Sequence, residues 1–259
     1  MTYVPYHKKD TITMLAGPCS IEGAEQMEEV AAALEGLGLS WIRGGAFKPR
    51  TSPYSFQGLG EEGLRLMAEV GKRHHLGTLT EVVDTQHIDM IMGYVDALQI
   101  GTRNMANFEL LKAIGLATAA NHKPILFKRG MAATIDEWLS ATEYLTMGGN
   151  PNIMLCERGL RTFETSTRFT LDIAAVPVIH KRSLVPICVD VSHPAGQVDL
   201  VPALAKAAVA AGCDALMIEV HPNPAQAKSD GPQQLTIPEF SELLKDLRTI
   251  AAAIGKTIV

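Results

Sequence analysis

The feature that most constrains this chain is an alternation. Eight short apolar or β-branched runs are separated by longer stretches whose apolar residues recur three or four apart. The runs fall at residues 12–17, 41–46, 78–83, 97–101, 124–128, 153–157, 186–191 and 215–221. The helical stretches include 61–74, 107–114, 135–147, 199–211 and 238–254, and the helix before the seventh run is the least distinct. Strands that alternate with helices are joined by crossovers, which make neighbouring strands parallel. Eight repeats within 259 residues, with no visible point where strand order reverses, favour closure over an open doubly wound sheet. The expectation is an α/β fold, a single (β/α)8 TIM barrel over residues 1–259, with no linker or low-complexity stretch to mark a second domain.

A hydrophobic content of 47% suits one large core. The net charge of -5 argues against general affinity for nucleic acid, whose backbone selects basic surfaces, so any basic site is local. The opening residues pass from a basic stretch to the apolar run 12–17, which is too short for the core of a secretory signal and is followed by Pro18. No stretch approaches the roughly 20 apolar residues of a membrane span. Cys19, Cys156, Cys188 and Cys213 are far apart and lack CxxC spacing, which fits reduced thiols in a cytoplasmic protein.

Gly58, Gly60 and Gly63 match GxGxxG, with Asp84 near the distance of a ribose-binding acid. That fingerprint needs a buried strand just before its first glycine, and SPYSFQ with Pro53 does not supply one. The glycines read as a loop entering a helix.

In a parallel barrel the chemistry sits where strands end, so the informative residues are those at each exit. The exits are GPCS, RGGAFKPRTSP, GTRN, FKRG, CERGLR, DVSHPAG and IEVHPNP, with SDG a little farther on. Arg43, Lys48, Arg103, Lys128 and Arg158 thus converge on one rim, with Arg50 close by. So many cations in one place repel one another unless anions neutralise them, which points to phosphorylated or carboxylated ligands. Cys19, His193, Glu219 and Asp230 form a second constellation, from strands one, seven and eight and the loop that follows. Those strands are neighbours in a closed barrel, so the four side chains can surround one divalent cation, with Mn, Fe, Co and Zn all compatible. His221 is a competing ligand, or a substrate contact or proton shuttle.

These motifs, in this order, resemble 3-deoxy-D-arabino-heptulosonate 7-phosphate (DAHP) synthase, in its short type I beta form without a regulatory domain. The similarity runs from AGPCS at residues 16–20 to EVHPNPAQAKSDGPQQL at 219–235, through RGGAFKPRTSPYSFQGLG at 43–60, QIGTRNMANFELL, FKRGM and ERGLRTFE. Valine stands at 191 where the family usually has proline. The resemblance implies a metal-dependent transferase of the shikimate pathway, leading to chorismate and the aromatic amino acids. It would condense phosphoenolpyruvate with erythrose 4-phosphate. Arg43, Lys48, Arg103, Lys128 and Arg158 would contact phosphoenolpyruvate, and Arg50 with Thr51 the aldose phosphate. Cys19, His193, Glu219 and Asp230 would hold the ion, and Lys48 would also serve as a proton donor. By analogy with the family the chain is a homo-oligomer, a dimer or tetramer, without feedback through a fused domain.

Three alternatives stay open at this point. A 3-deoxy-octulosonate 8-phosphate synthase would carry a KANRSS-like segment where KPRTSP stands. A Schiff-base aldolase would use Lys128 as nucleophile. A barrel without turnover would only bind phosphosugars.

Overall fold

The structure is a computed structural model that describes residue 8, residues 10–49 and residues 52–259. β1 (Thr11–Gly17) leads into α1 (Ala24–Gly36), β2 (Trp41–Arg43) into α2 (Glu61–Arg73), and β3 (Gly77–Val82) into α3 (Ile88–Tyr94). β4 (Ala97–Ile100) leads into α4 (Phe108–Thr118), β5 (Ile125–Lys128) into α5 (Ile135–Met147), and β6 (Ile153–Glu157) into α6 (Ala175–Arg182). β7 (Ile187–Asp190) passes through a single turn, α7 (Ser192–Ala195), into α8 (Val201–Ala210), and β8 (Ala215–Glu219) leads into α9 (Ile237–Ala253). Strands β1 to β8 pair in parallel in chain order, and the β8–β1 and β1–β2 pairings close the ring. β9 (Thr257–Ile258) adds a short outer rung on Thr11 and Ile12.

All eight apolar runs are strands. The second and eighth end early, at Arg43 and Glu219, because the chain there leaves the ladder for isolated bridges, Ser20 to Gly45 and Val220 to Leu235. The indistinct helix before the seventh run is α6, which has only eight residues, no side-chain cap, and Pro177 in its first turn. Other helices start on clear local signals. Thr134 with Glu137 and Thr236 with Glu239 form capping boxes at α5 and α9, and the Asn107 side chain accepts from the Leu110 N–H at α4. Gly60, at positive φ, precedes α2 and Gly63 lies in its first turn, after irregular chain, so the GxGxxG match is a loop entering a helix.

Strand residues alternate between two apolar shells. The outer shell packs strands on helices, and includes Met14, Ile42, Leu98, Phe127, Leu155 and Val189. A separate inner cluster fills the barrel, with Trp41, Leu79, Ala97, Leu126, Cys156, Cys188 and Met217 among its members. Two residues beyond these stand Arg43, Glu81, Gln99, Lys128, Arg158, Asp190 and Glu219. One period of the strand therefore converts the apolar floor of the barrel into a polar layer at its C-terminal mouth. Among the described residues no helix is long and apolar enough to cross a membrane.

Candidate active site

A cavity of about 310 Å³ opens at this mouth, lined by Arg43, Lys48, Arg103, Lys128, Arg158, Arg168, Glu81, Gln99, His193, Asp230, Pro49 and Ser52 among others. The five cations expected from the sequence are all on its wall. Arg43, Lys128 and Arg158 are buried, Lys48 is half-buried, and Arg103 is exposed on the single turn Thr102–Asn104. Arg50 and Thr51 lie outside the described residues, between the cavity-lining Pro49 and Ser52.

Several of these cations keep donors in reserve. Arg43 Nη1 donates to the Pro18 carbonyl at 2.6 Å and to Glu219 Oε1 at 3.2 Å, and its Nε has no hydrogen-bond partner among the described residues. Arg158 lies 4.0 Å over the Phe169 ring, and its buried Nε and Nη1 have no hydrogen-bond partner among the described residues. Burial presses the Arg158 pKa below its usual value, yet a guanidinium stays charged in proteins. Buried donors without partners are costly, and an anion with several acceptor oxygens relieves that cost.

Lys128 is different. Its Nζ lies 2.5 Å from Asp190 Oδ2, and His193 Nδ1 lies 2.7 Å from the same oxygen. Asp190 is fully buried, and although burial raises its pKa, His193 and Lys128 hold it well below the carboxylate range. His193 is shifted down, by burial first, against the pull of Asp190, which favours the neutral imidazole that a metal requires. Its Nε2 points to Glu219 Oε1 at 3.7 Å and Asp230 Oδ2 at 3.9 Å.

Beneath the cavity, ligand atoms of Cys19, Glu219 and Asp230 lie within 4.8 Å of one another. The Cys19 thiol donates to Asp230 Oδ2 at 3.6 Å. Burial, then Glu219, pushes the thiol up to about 12, so without an ion it stays protonated at neutral pH. Lys48 Nζ stands 3.1 Å from Cys19 Sγ and donates to the Cys19 carbonyl at 3.1 Å. Burial alone lowers the Lys48 pKa, but the charges of Cys19 and Glu219 carry it above the usual lysine value. The Cys19 contribution is that of its thiolate, the form in which the sulfur would hold an ion. A soft sulfur and two carboxylates at this spacing fit a divalent transition metal. The His193 imidazole is not part of that close group of three, but it faces both carboxylates, and Asp190 behind it is the outer carboxylate that such sites use to orient a ring.

His221, read from the sequence as a catalytic group, is not on the cavity wall. Its Nδ1 accepts from the Asn223 N–H at 2.9 Å, and its Nε2 faces Glu22 at 3.7 Å. One period past the strand end, His221 follows the chain out of the barrel axis. Conversely, Asp190, Glu81 and Gln99 were missed, although each sits two residues beyond an inner apolar residue and the period-two pattern points to them. Arg168, far from any strand end, carries no such signal.

A closed parallel barrel with a cationic cavity at its strand ends, over a thiol and carboxylates close enough to share an ion, defines a phosphate-handling barrel enzyme with a candidate metal centre. Comparison with known proteins agrees: the chain belongs to the DAHP synthetase I family, whose model matches residues 6–253. It is 46% identical over 263 residues to a phospho-2-dehydro-3-deoxyheptonate aldolase of Thermotoga maritima, covering 96% of this chain and 77% of that one. The crystal structure of the DAHP synthase from Thermotoga maritima superposes with a TM-score of 0.93 at 45% identity, over 98% of this chain and 72% of that one. A truncated form of the Thermotoga enzyme superposes at 0.90 with 42% identity, over 98% and 91%. More distant is a 2-dehydro-3-deoxyphosphooctonate aldolase of Nitrobacter hamburgensis, 31% identical over 96% of this chain and 91% of that one.

Proposed function

We propose that the chain condenses phosphoenolpyruvate with erythrose 4-phosphate and water to give DAHP and phosphate. The observation that carries this reading is that Arg43, Lys48, Arg103, Lys128 and Arg158 line one cavity together, with the Cys19, Glu219 and Asp230 cluster at its base. Arg158 and Arg43 supply unpaired guanidinium donors to the carboxylate and phosphate of phosphoenolpyruvate, with Lys48, Lys128 and Arg103 around them. Arg50 and Thr51, flanked by cavity-lining Pro49 and Ser52, are assigned to the phosphate of the aldose.

Cys19, His193, Glu219 and Asp230 would hold one divalent ion, which supplies Lewis-acid polarisation of the aldehyde carbonyl. With both substrates fixed by their charges, C3 of phosphoenolpyruvate forms a bond to the aldehyde carbon, and the carbonyl oxygen gains a proton. Lys48, held protonated beside Cys19 and Glu219, is placed to supply it. Water adds at C2, and phosphate leaves with cleavage of the C2–O bond. The Lys128 Nζ is engaged 2.5 Å from Asp190 Oδ2, which supports a role in alignment over one as a free imine-forming nucleophile. The four cysteines are free and buried, in keeping with a reducing cytoplasm, and a homo-oligomeric assembly follows by family analogy.

Phosphate release measured with phosphoenolpyruvate and either erythrose 4-phosphate or arabinose 5-phosphate tests the assignment. Turnover is expected with the four-carbon aldose, lost on chelation and restored by Mn2+. Turnover of arabinose 5-phosphate alone overturns the reading in favour of the octulosonate relatives, and full activity after chelation with borohydride trapping overturns it in favour of a Schiff base.

A further inference from the structure

Arg168 is the sixth cation on the cavity wall, and it lies in the long excursion between β6 and α6. That excursion is pinned rather than loose. Leu160 and Thr170 exchange backbone hydrogen bonds at 2.8 and 2.9 Å, and the Phe169 N–H donates to the Pro194 carbonyl beside His193. Gly196, which ends the turn carrying His193 at φ 68, lies so close that a Cβ there would meet Arg168 Cβ at 2.6 Å. Arg168 is thus seated against the element that presents one candidate ligand, and its head group reaches two others. Its Nη1 lies 3.2 Å from Asp230 Oδ2 and donates to Gln233 Oε1 at 2.7 Å. Gln233 in turn donates through Nε2 to Glu219 Oε2 at 2.6 Å.

Asp230 needs such support. It sits at positive φ on a loop, and the oxygen that Arg168 touches is the same one that faces Cys19 and His193. A carboxylate on a loop turns freely unless its second contact is fixed, and one guanidinium nitrogen fixes Asp230 directly and Glu219 through an amide relay. Resting on the reading of Cys19, His193, Glu219 and Asp230 as an ion centre, we propose that Arg168 and Gln233 are positioning residues that set the two carboxylates for the ion. Arg168 Nη1 thereby ties the cavity wall to the candidate metal centre.

The test is a calorimetric titration of Mn2+ into metal-free wild type, Arg168→Gln, Arg168→Lys and Gln233→Met, with melting temperatures of the metal-free forms recorded alongside. Arg168→Gln and Gln233→Met are expected to weaken ion binding by about tenfold or more, the scale of outer-shell effects, while melting close to wild type, and Arg168→Lys is expected to recover part of the loss. At saturating Mn2+ the KM values for both phosphorylated substrates return to wild type. Ion affinity unchanged in Arg168→Gln and Gln233→Met overturns the proposal alone. A substrate KM that stays raised at saturating ion also overturns it, by making Arg168 a substrate contact. Wild-type protein that takes up no ion overturns the underlying metal reading together with it.

Discussion

Among the individual residues, Arg158 is the clearest functional group, because it is a buried cation with two idle donors. Arg158→Met keeps much of its packing on Phe169 and removes the charge. Losing a charge-assisted contact of about 1.5–3 kcal/mol predicts a rise of roughly ten- to a hundredfold in KM for phosphoenolpyruvate, read from initial rates with that substrate varied. Asp190 has the opposite character, fully paired and invisible to substrate. Asp190→Asn leaves Lys128 without its counter-ion and His193 without its outer carboxylate, so both the denaturant midpoint and Mn2+ affinity are expected to fall, the affinity by about ten- to a hundredfold. Unchanged metal affinity in Asp190→Asn would show that Asp190 serves only the lysine. The sequence made five of the cavity cations legible, since each lies at or after a strand end, but neither Arg168 nor the division into idle and paired groups. Lys128 and Asp190 are 62 residues apart, and only the closed ring sets them together.

Between elements, two ionisable clamps away from the cavity have opposite pH signatures. His74, at the end of α2, lies 2.8 Å from Glu35 and 3.0 Å from Glu28 of α1. Its pKa is raised, chiefly by the Glu35 contact, so this clamp is at full strength below the unfolded value of 6.5 and is lost as pH rises through the folded one. The gap in urea midpoint between wild type and His74→Gln is therefore expected to be wider at pH 6 than at pH 9. Asp214, just before β8, accepts from the Ile187 N–H and pairs with His180 and Lys256, joining β7, β8, α6 and the segment before β9. Burial raises its pKa, but these partners outweigh it and the net shift is downward. Its contribution is present above the unfolded value of 3.8 and fades as pH falls through the folded one, so Asp214→Asn should approach wild-type stability in strong acid. Helix signals were legible where a side chain caps the first turn, as at α5 and α9, and faint at α6, where none does.

Across the whole molecule, a ligand that binds only the closed barrel stabilises all of it. Phosphoenolpyruvate and Mn2+, each at about 100 times its dissociation constant, add roughly 2.7 kcal/mol apiece, which for a chain of this size corresponds to a melting temperature roughly 5–10 °C higher for one ligand and roughly 10–20 °C higher with both. Differential scanning calorimetry with and without both ligands checks this, and the shift should shrink in Arg158→Met. The stabilisation is expected to be global because the cavity is lined from around the ring, by residues at or after the ends of β2, β5, β6, β7 and β8 among others.

The sequence by itself determined the eight strands of the barrel and their order, though not the short β9, and it determined the apolar floor and the polar layer one period above it. Those properties follow from local alternation, in which a residue's face is set by its position along its own strand. Tertiary structure alone decided which charges meet. Asp190 was assigned to Lys128 and His193, Arg168 was brought from a long excursion to Asp230, and His221 was turned away from the cavity toward Glu22. Beyond a strand end the period is broken, and the direction of a side chain depends on contacts between segments far apart in the chain.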